Sequence, residues 1–219
     1  GMVSPGDFIP LAEATGLILP MGQWVLETAC TQLASWASRP DRAALTIAVN
    51  VSAHQFRHPN FVEQVLAVIR STGANPQRLK LELTESLLLD NVDAVVVKMQ
   101  ALRAMGVRFS LDDFGTGYSS LTYLKQLQVR QLKIDQSFVR DMLEDPDDLA
   151  ILTGVIGLAN AFQLDAIAEG VETVAHGRAL LELGCTLAQG YGIARPMPGN
   201  DLRGWAAGWQ PDPSWTHPR

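Results

Sequence analysis

Several protein classes are excluded by what the chain has little of. Cysteine is scarce: Cys30 and Cys185 lie far apart in apolar company, which provides neither a disulfide framework nor a zinc site, and both read as reduced core residues. Basic residues are outnumbered, 17 against 23 acidic, for a net charge of −6. The basic footprint of a duplex DNA or RNA binder is therefore missing, and an anionic membrane surface is disfavoured as a partner. The first basic residue is Arg39, so no positively charged start precedes an apolar run as in a secretory signal. Nor does any stretch approach the ~18 apolar residues of a membrane helix. The longest candidate, Ile151 to Phe162, is interrupted by Thr153, Gly154, Gly157 and Asn160. These absences predict a soluble, cytoplasmic chain without membrane contact.

What is present is a composition that buries a core. Of 219 residues, 47% are hydrophobic and 18% charged, which excludes a disordered chain, a collagen or a coiled coil. Short β-rich runs, Leu45–Val51, Leu79–Leu83, Arg108–Asp112, Gln131–Asp135, Asp165–Glu169 and Thr186–Gly190, alternate with segments of helical period. Several runs are apolar on both faces, as in parallel strands covered by helices. Asp145-Pro146 offers an N-cap and a first-position proline, followed by Leu149, Leu152, Ile156 and Ala159 at three- and four-residue spacing. Gly106 and Gly184 are natural helix stops, and Met21–Ser38 carries a stripe of Val25, Ala29 and Leu33. In that helix Trp24 and Trp36 read as packing residues. Six βα units in series predict an α/β domain, with a barrel favoured over an open sheet. The domain spans residues 1–209, and residues 210–219, with three prolines, read as a flexible tail.

The polar residues fall at strand ends. In order they are Asn50, Glu82, Asp112 with Asp113, Lys133, Glu169 and Gln189. In a parallel α/β barrel all of these lie at the C-terminal face, where active sites sit. Adjacent carboxylates repel unless protonated or neutralised, so the cluster points to divalent cations. Oxygen donors without histidine or cysteine favour Mg²⁺ or Mn²⁺ over zinc. Two ions bridged by one carboxylate, for which Asp112 is placed, are the usual device for in-line phosphodiester hydrolysis. Lys133 would offset phosphate charge or position the attacking water. Singly, Asn50 and Gln189 read better as turn and strand-end amides, while Asp112 or Asp113 could serve as a cap and Lys133 as a partner for a carboxylate. At Glu82 and Asp112 that reading is weaker, because an acidic group inside an apolar strand is costly without a partner. The stretch DFGTGYSS at Asp113–Ser120 lacks the lysine of a P-loop. His54, His58, His176 and His217 share no ligand spacing and read as solvent-facing or loop residues.

At these residues the chain resembles the EAL domain family, bacterial phosphodiesterases that open cyclic di-GMP to linear pGpG. The resemblance is carried by VNVSAHQF at Val49–Phe56, ELTES at Glu82–Ser86, DDFGTGYSSL at Asp112–Leu121, LKID at Leu132–Asp135, AEGVET at Ala168–Thr173 and QGY at Gln189–Tyr191. It implies Asn50, Glu82 and Asp112 as ligands of a first metal, and Asp112 with Asp113 as ligands of a second. Lys133 then stands beside the metals, Glu169 is a general base or metal support, and Gln189 lies near the catalytic water. Glu85 is implied as a support for the DFGTGYSS loop. The family fold is a modified TIM barrel, and the loop's link to dimer coupling implies a homodimer.

The family's Glu-Ala-Leu tripeptide occurs nowhere in these residues. In the family it lies shortly before the segment equivalent to Val3–Pro10. The resemblance thus implies a barrel incomplete at its N-terminus, with about six of eight strands, lacking one metal ligand and an arginine that contacts substrate phosphate. A late-starting gene model, trimming and natural shortening each account for this. Three functions follow: a metal-dependent cyclic di-GMP phosphodiesterase, a catalytically inactive module binding cyclic di-GMP or a partner protein, and a fragment completed by dimerisation. Sensory or membrane domains would belong to a parent protein.

Overall fold

The computed structural model describes residues 3–88, 92–117 and 121–216. Its strands hydrogen-bond in the order β1-β2-β3-β4-β5-β6, the chain order. Two compact units divide the chain: residues up to Leu111 with the stretch ending at Val129, and the stretch beginning at Asp112 with the residues from Arg130 on.

The first unit opens with α1 (Pro5–Thr15), which has proline in its first turn and stops at Gly16, and α2 (Ile18–Ala37). Strand β1 (Ile47–Val51) follows, then α3 (Ala53–Arg57), capped by the Ser52 side chain, and α4 (Phe61–Thr72). Strand β2 (Leu79–Thr84), α5 (Val92–Ala104), β3 (Arg108–Phe114) and α6 (Leu121–Leu127) complete it, except that β3 passes into the second unit after Leu111. Strands β1 and β2 are parallel, with Asn50 opposite Glu82. Leu79, Leu81 and Leu83 are buried on one face of β2, and the other face carries Lys80, Glu82 and Thr84, of which Glu82 is buried. On α4 the buried Phe61, Val65, Val68 and Ile69 form the helical stripe against this core.

The second unit holds β4 (Gln131–Ile134), α7 (Gln136–Arg140), α8 (Pro146–Ala161) and β5 (Asp165–Ala168). It continues with α9 (Val174–Glu182), β6 (Leu187–Ala188), α10 (Leu202–Gly208) and α11 (Pro213–Thr216). The pairs β4–β5 and β5–β6 are parallel. Asp145 caps α8 as its sequence predicts, its carboxylate accepting the Asp147 N–H at 2.8 Å. The expected stops at Gly106 and Gly184 both take positive φ, 100° and 84°.

Some expectations are corrected. Strand β1 starts at Ile47 instead of Leu45, because Leu45 closes a turn with its N–H on the Arg42 carbonyl. Strand β3 runs two residues beyond Asp112, to Phe114. Trp36 packs in the core, but Trp24 is 66% exposed, on the outward side of α2. Val25 and Leu149, counted on helical stripes, are also exposed at their edges. His176 is not solvent-facing: it shares the inner face of α9 with Leu180, one turn on, and is buried. Cys30 and Cys185 are buried and free, as expected. In the C-terminal segment the Trp215 indole donates to the Val174 carbonyl at 3.0 Å. No described helix is long and apolar enough to cross a membrane.

Candidate metal centre

In the second unit the strand ends bring four of the expected residues together. Lys133 of β4 is 4% exposed, and its ammonium lies 2.9 Å from Asp112 Oδ1 and 2.7 Å from Glu169 Oε1. Asp112 and Asp113 come from β3, and Glu169 follows β5, its N–H on the Ile134 carbonyl. Carboxylate oxygens of Asp112, Asp113 and Glu169 lie within 4.8 Å of one another.

Asp113 is unusual in backbone and in charge. Its φ is 54°, the left-handed region that aspartate tolerates better than most side chains, and its N–H donates to Asp112 Oδ1 at 3.1 Å. Burial first, then the neighbouring Asp112 and Asp135 carboxylates, push its carboxyl above the usual range, against the opposing pull of Lys133. A hydrogen bond to the Asp135 side chain acts in the same direction. Asp135 is a member of the cluster that strand-end reasoning passed over. It stands two residues after Lys133, hence on the same side of an extended chain, and that spacing was the available signal. It also caps α7, its Oδ1 accepting from the Ser137 N–H at 2.9 Å and from the Ser137 hydroxyl.

Four carboxylates thus gather near one ammonium, of which Asp112 and Glu169 pair with Lys133 directly and Asp135 meets Asp113. Two unit charges 4.8 Å apart repel by about 3.5 kcal/mol at an effective dielectric of ~20. This donor set suits a hard divalent cation, which takes oxygen ligands and cancels the excess charge. The residues that could hold it here are Asp112, Asp113 and Glu169.

Gln189 is anchored through its backbone. Its N–H donates to the Ala168 carbonyl at 2.8 Å, and its carbonyl accepts the Val171 N–H at 3.0 Å. This fastens the end of β6 to the turn that carries Glu169. The next residue must be glycine, since a Cβ on Gly190 would stand 2.3 Å from the Val171 backbone. After Asp113 the chain turns at Gly115 and Thr116, whose hydroxyl donates to the Asp113 carbonyl at 2.9 Å. Tyr118, Ser119 and Ser120 of the glycine-rich stretch lie outside the described residues.

The first unit presents its own polar group. Glu82 is buried opposite Asn50 in the β1–β2 register, and the Ser110 hydroxyl donates to Glu82 Oε1 at 3.3 Å. Glu85 is buried in the 3₁₀ turn that follows β2.

The family model "EAL domain" matches residues 1–196. The chain belongs to the EAL domain family. A bifunctional diguanylate cyclase/cyclic di-GMP phosphodiesterase, MucR of Pseudomonas aeruginosa, is 46% identical over 202 residues, 92% of this chain and 29% of MucR. The cyclic di-GMP phosphodiesterase PA2567 of the same organism is 40% identical over 205 residues, 94% of this chain and 35% of that protein. A solved PaMucR phosphodiesterase in complex with c-di-GMP superposes with a TM-score of 0.89 at 46% identity, covering 92% of this chain and 81% of that one. The EAL enzyme Bd1971, solved with cAMP and cyclic di-GMP, gives 0.87 at 33% identity, covering 93% and 56%. This EAL chain spans about a third of the length of these two curated relatives. The fold expected from the sequence, a TIM-like α/β barrel represented by six strands, is the one the EAL structures share.

Proposed function

We propose that this chain is a phosphodiesterase module that hydrolyses cyclic di-GMP to linear pGpG with two Mg²⁺ or Mn²⁺ ions. The observation that carries the reading is the convergence of Asp112, Asp113 and Glu169 around the buried Lys133. By family correspondence, Asn50, Glu82 and Asp112 would hold one cation, and Asp112 with Asp113 the other. Such cations, when bound, supply Lewis acidity and a nucleophile at neutral pH. Lys133 holds Asp112 and Glu169 in place and offers a positive charge to an anionic phosphodiester. Glu169 takes the proton of the attacking water, Gln189 orients that water, and Glu85 steadies the loop after Asp113. The same reading makes the EAL chain a homodimer that works in the cytoplasm.

The test is direct. Incubated with cyclic di-GMP and Mg²⁺ or Mn²⁺, the protein releases pGpG, and Asp112→Asn abolishes release. Undiminished turnover by that variant would overturn the two-cation assignment.

A further inference from the structure

Ser110 sits in the middle of β3 with 0% of its surface exposed, between Phe109 and Leu111 at 1% and 2%. A hydroxyl in that position needs a partner, because a buried polar group left unpaired loses its bonds to water. An alanine would fill the same pleat without that requirement. The partner is a carboxylate, Oε1 of Glu82, at 3.3 Å. Side chains alternate in face along a strand, so Ser110 and Asp112 leave β3 on the same side, one pleat apart. Glu82 in turn stands opposite Asn50. Within the first unit Ser110 is therefore in contact with Glu82, one of the acidic groups assigned to the cation.

We propose that Ser110 is a positioning residue whose hydroxyl holds the Glu82 carboxylate for a divalent cation. The proposal rests on the reading of Glu82 as a cation ligand. A neutral donor suits this task better than a lysine. It fixes one carboxylate oxygen and limits the rotamers of the side chain, yet leaves the negative charge and the remaining lone pairs in place. A glutamate held in this way loses less freedom when a cation arrives, so its affinity rises.

The experiment is calorimetric titration of Mn²⁺ into the full chain, without nucleotide, for wild type and four variants. Ser110→Ala weakens Mn²⁺ binding by about 10-fold or more, the usual size of a lost outer-shell partner. Ser110→Cys weakens it similarly, since a thiol fills the space but is a poor donor. Glu82→Gln weakens it at least as much, and in the Ser110→Ala/Glu82→Gln double variant the serine change adds nothing. If Ser110→Ala binds like wild type while Glu82→Gln does not, the role of Ser110 is overturned and that of Glu82 stands. If Ser110→Cys binds like wild type while Ser110→Ala is weak, volume and not the hydrogen bond is responsible, and the proposal again fails. If Glu82→Gln binds like wild type, the reading of Glu82 falls and the role of Ser110 with it.

Discussion

Asp113 combines a left-handed backbone, φ 54°, with two like-charged neighbours, Asp112 and Asp135. Without cations both features work against folding. Asparagine accepts the same backbone region and removes the charge. Asp113→Asn in EDTA therefore melts higher by roughly 2–4 °C, the equivalent of about 1 kcal/mol in a chain of this size. An unchanged or lower melting temperature would show that the cluster carries no repulsive load. Cys30 makes a different prediction, since burial raises its thiol from 9.0 to about 11. The folded chain then holds this proton more tightly than the unfolded one. The stability it contributes is present below pH 9 and is lost as pH rises through about 11. In native protein at pH 8 the thiol resists alkylation, and mass spectrometry finds it modified only after denaturation. Native labelling at Cys30 would contradict its burial.

At the scale of elements, short helices are held by side chains from elsewhere. Lys98 of α5 donates to the carbonyls of Phe56 and His58 at 2.8 Å each, closing the C-terminus of α3, and its ammonium stands 5.9 Å from the Phe56 ring centroid. Lys98→Met leaves those carbonyls without the cation and costs ~1.5–3 kcal/mol, the worth of hydrogen bonds to a charged group. Urea unfolding measures it, and a loss below about 0.5 kcal/mol would mean that water replaces the lysine fully. Trp215 of α11 makes a comparable bond to Val174, with its ring so close to Gly177 that an added Cβ would stand 2.5 Å away. Gly177→Ala and Trp215→Ala should therefore each quench the same contact, lower the melting temperature by similar amounts and fail to add when combined. Full additivity would show that the two residues do not share a contact. The longer elements were legible in the sequence: the cap at Asp145, the stops at Gly106 and Gly184, and the leucine run of β2 all act locally. The helices α3, α7 and α11, of four or five residues, were not, because they are too short to show a period. Nor was the contact of Trp215 with Val174, 41 residues apart, which no local signal encodes.

For the whole molecule, strand ends were the most informative signal, since parallel strands between helices must place their C-termini on one side. That logic found Asp112, Asp113, Lys133 and Glu169. It missed Asp135, which lies just past the end of β4 and joins the cluster through Asp113. It also missed Ser110, which lies one pleat too deep to count as a strand end. The division between Leu111 and Asp112 falls inside β3, where no linker composition marks it.

A chain of net charge −6 with clustered carboxylates should show its cations in its overall stability. A ligand that binds only the folded state stabilises it by RT ln(1 + [L]/Kd), about 2.7 kcal/mol at 100 times Kd. Saturating Mn²⁺ should therefore raise the melting temperature by ~5–10 °C for a chain of this size. Asp112→Asn removes the proposed bridging ligand, so its melting temperature should no longer respond to Mn²⁺. It also removes one partner of Lys133, so its baseline in EDTA should fall as well. Scanning calorimetry at several Mn²⁺ concentrations separates the two effects. A lowered baseline with the full Mn²⁺ response intact would assign Asp112 to the lysine pair alone and remove it from the metal centre.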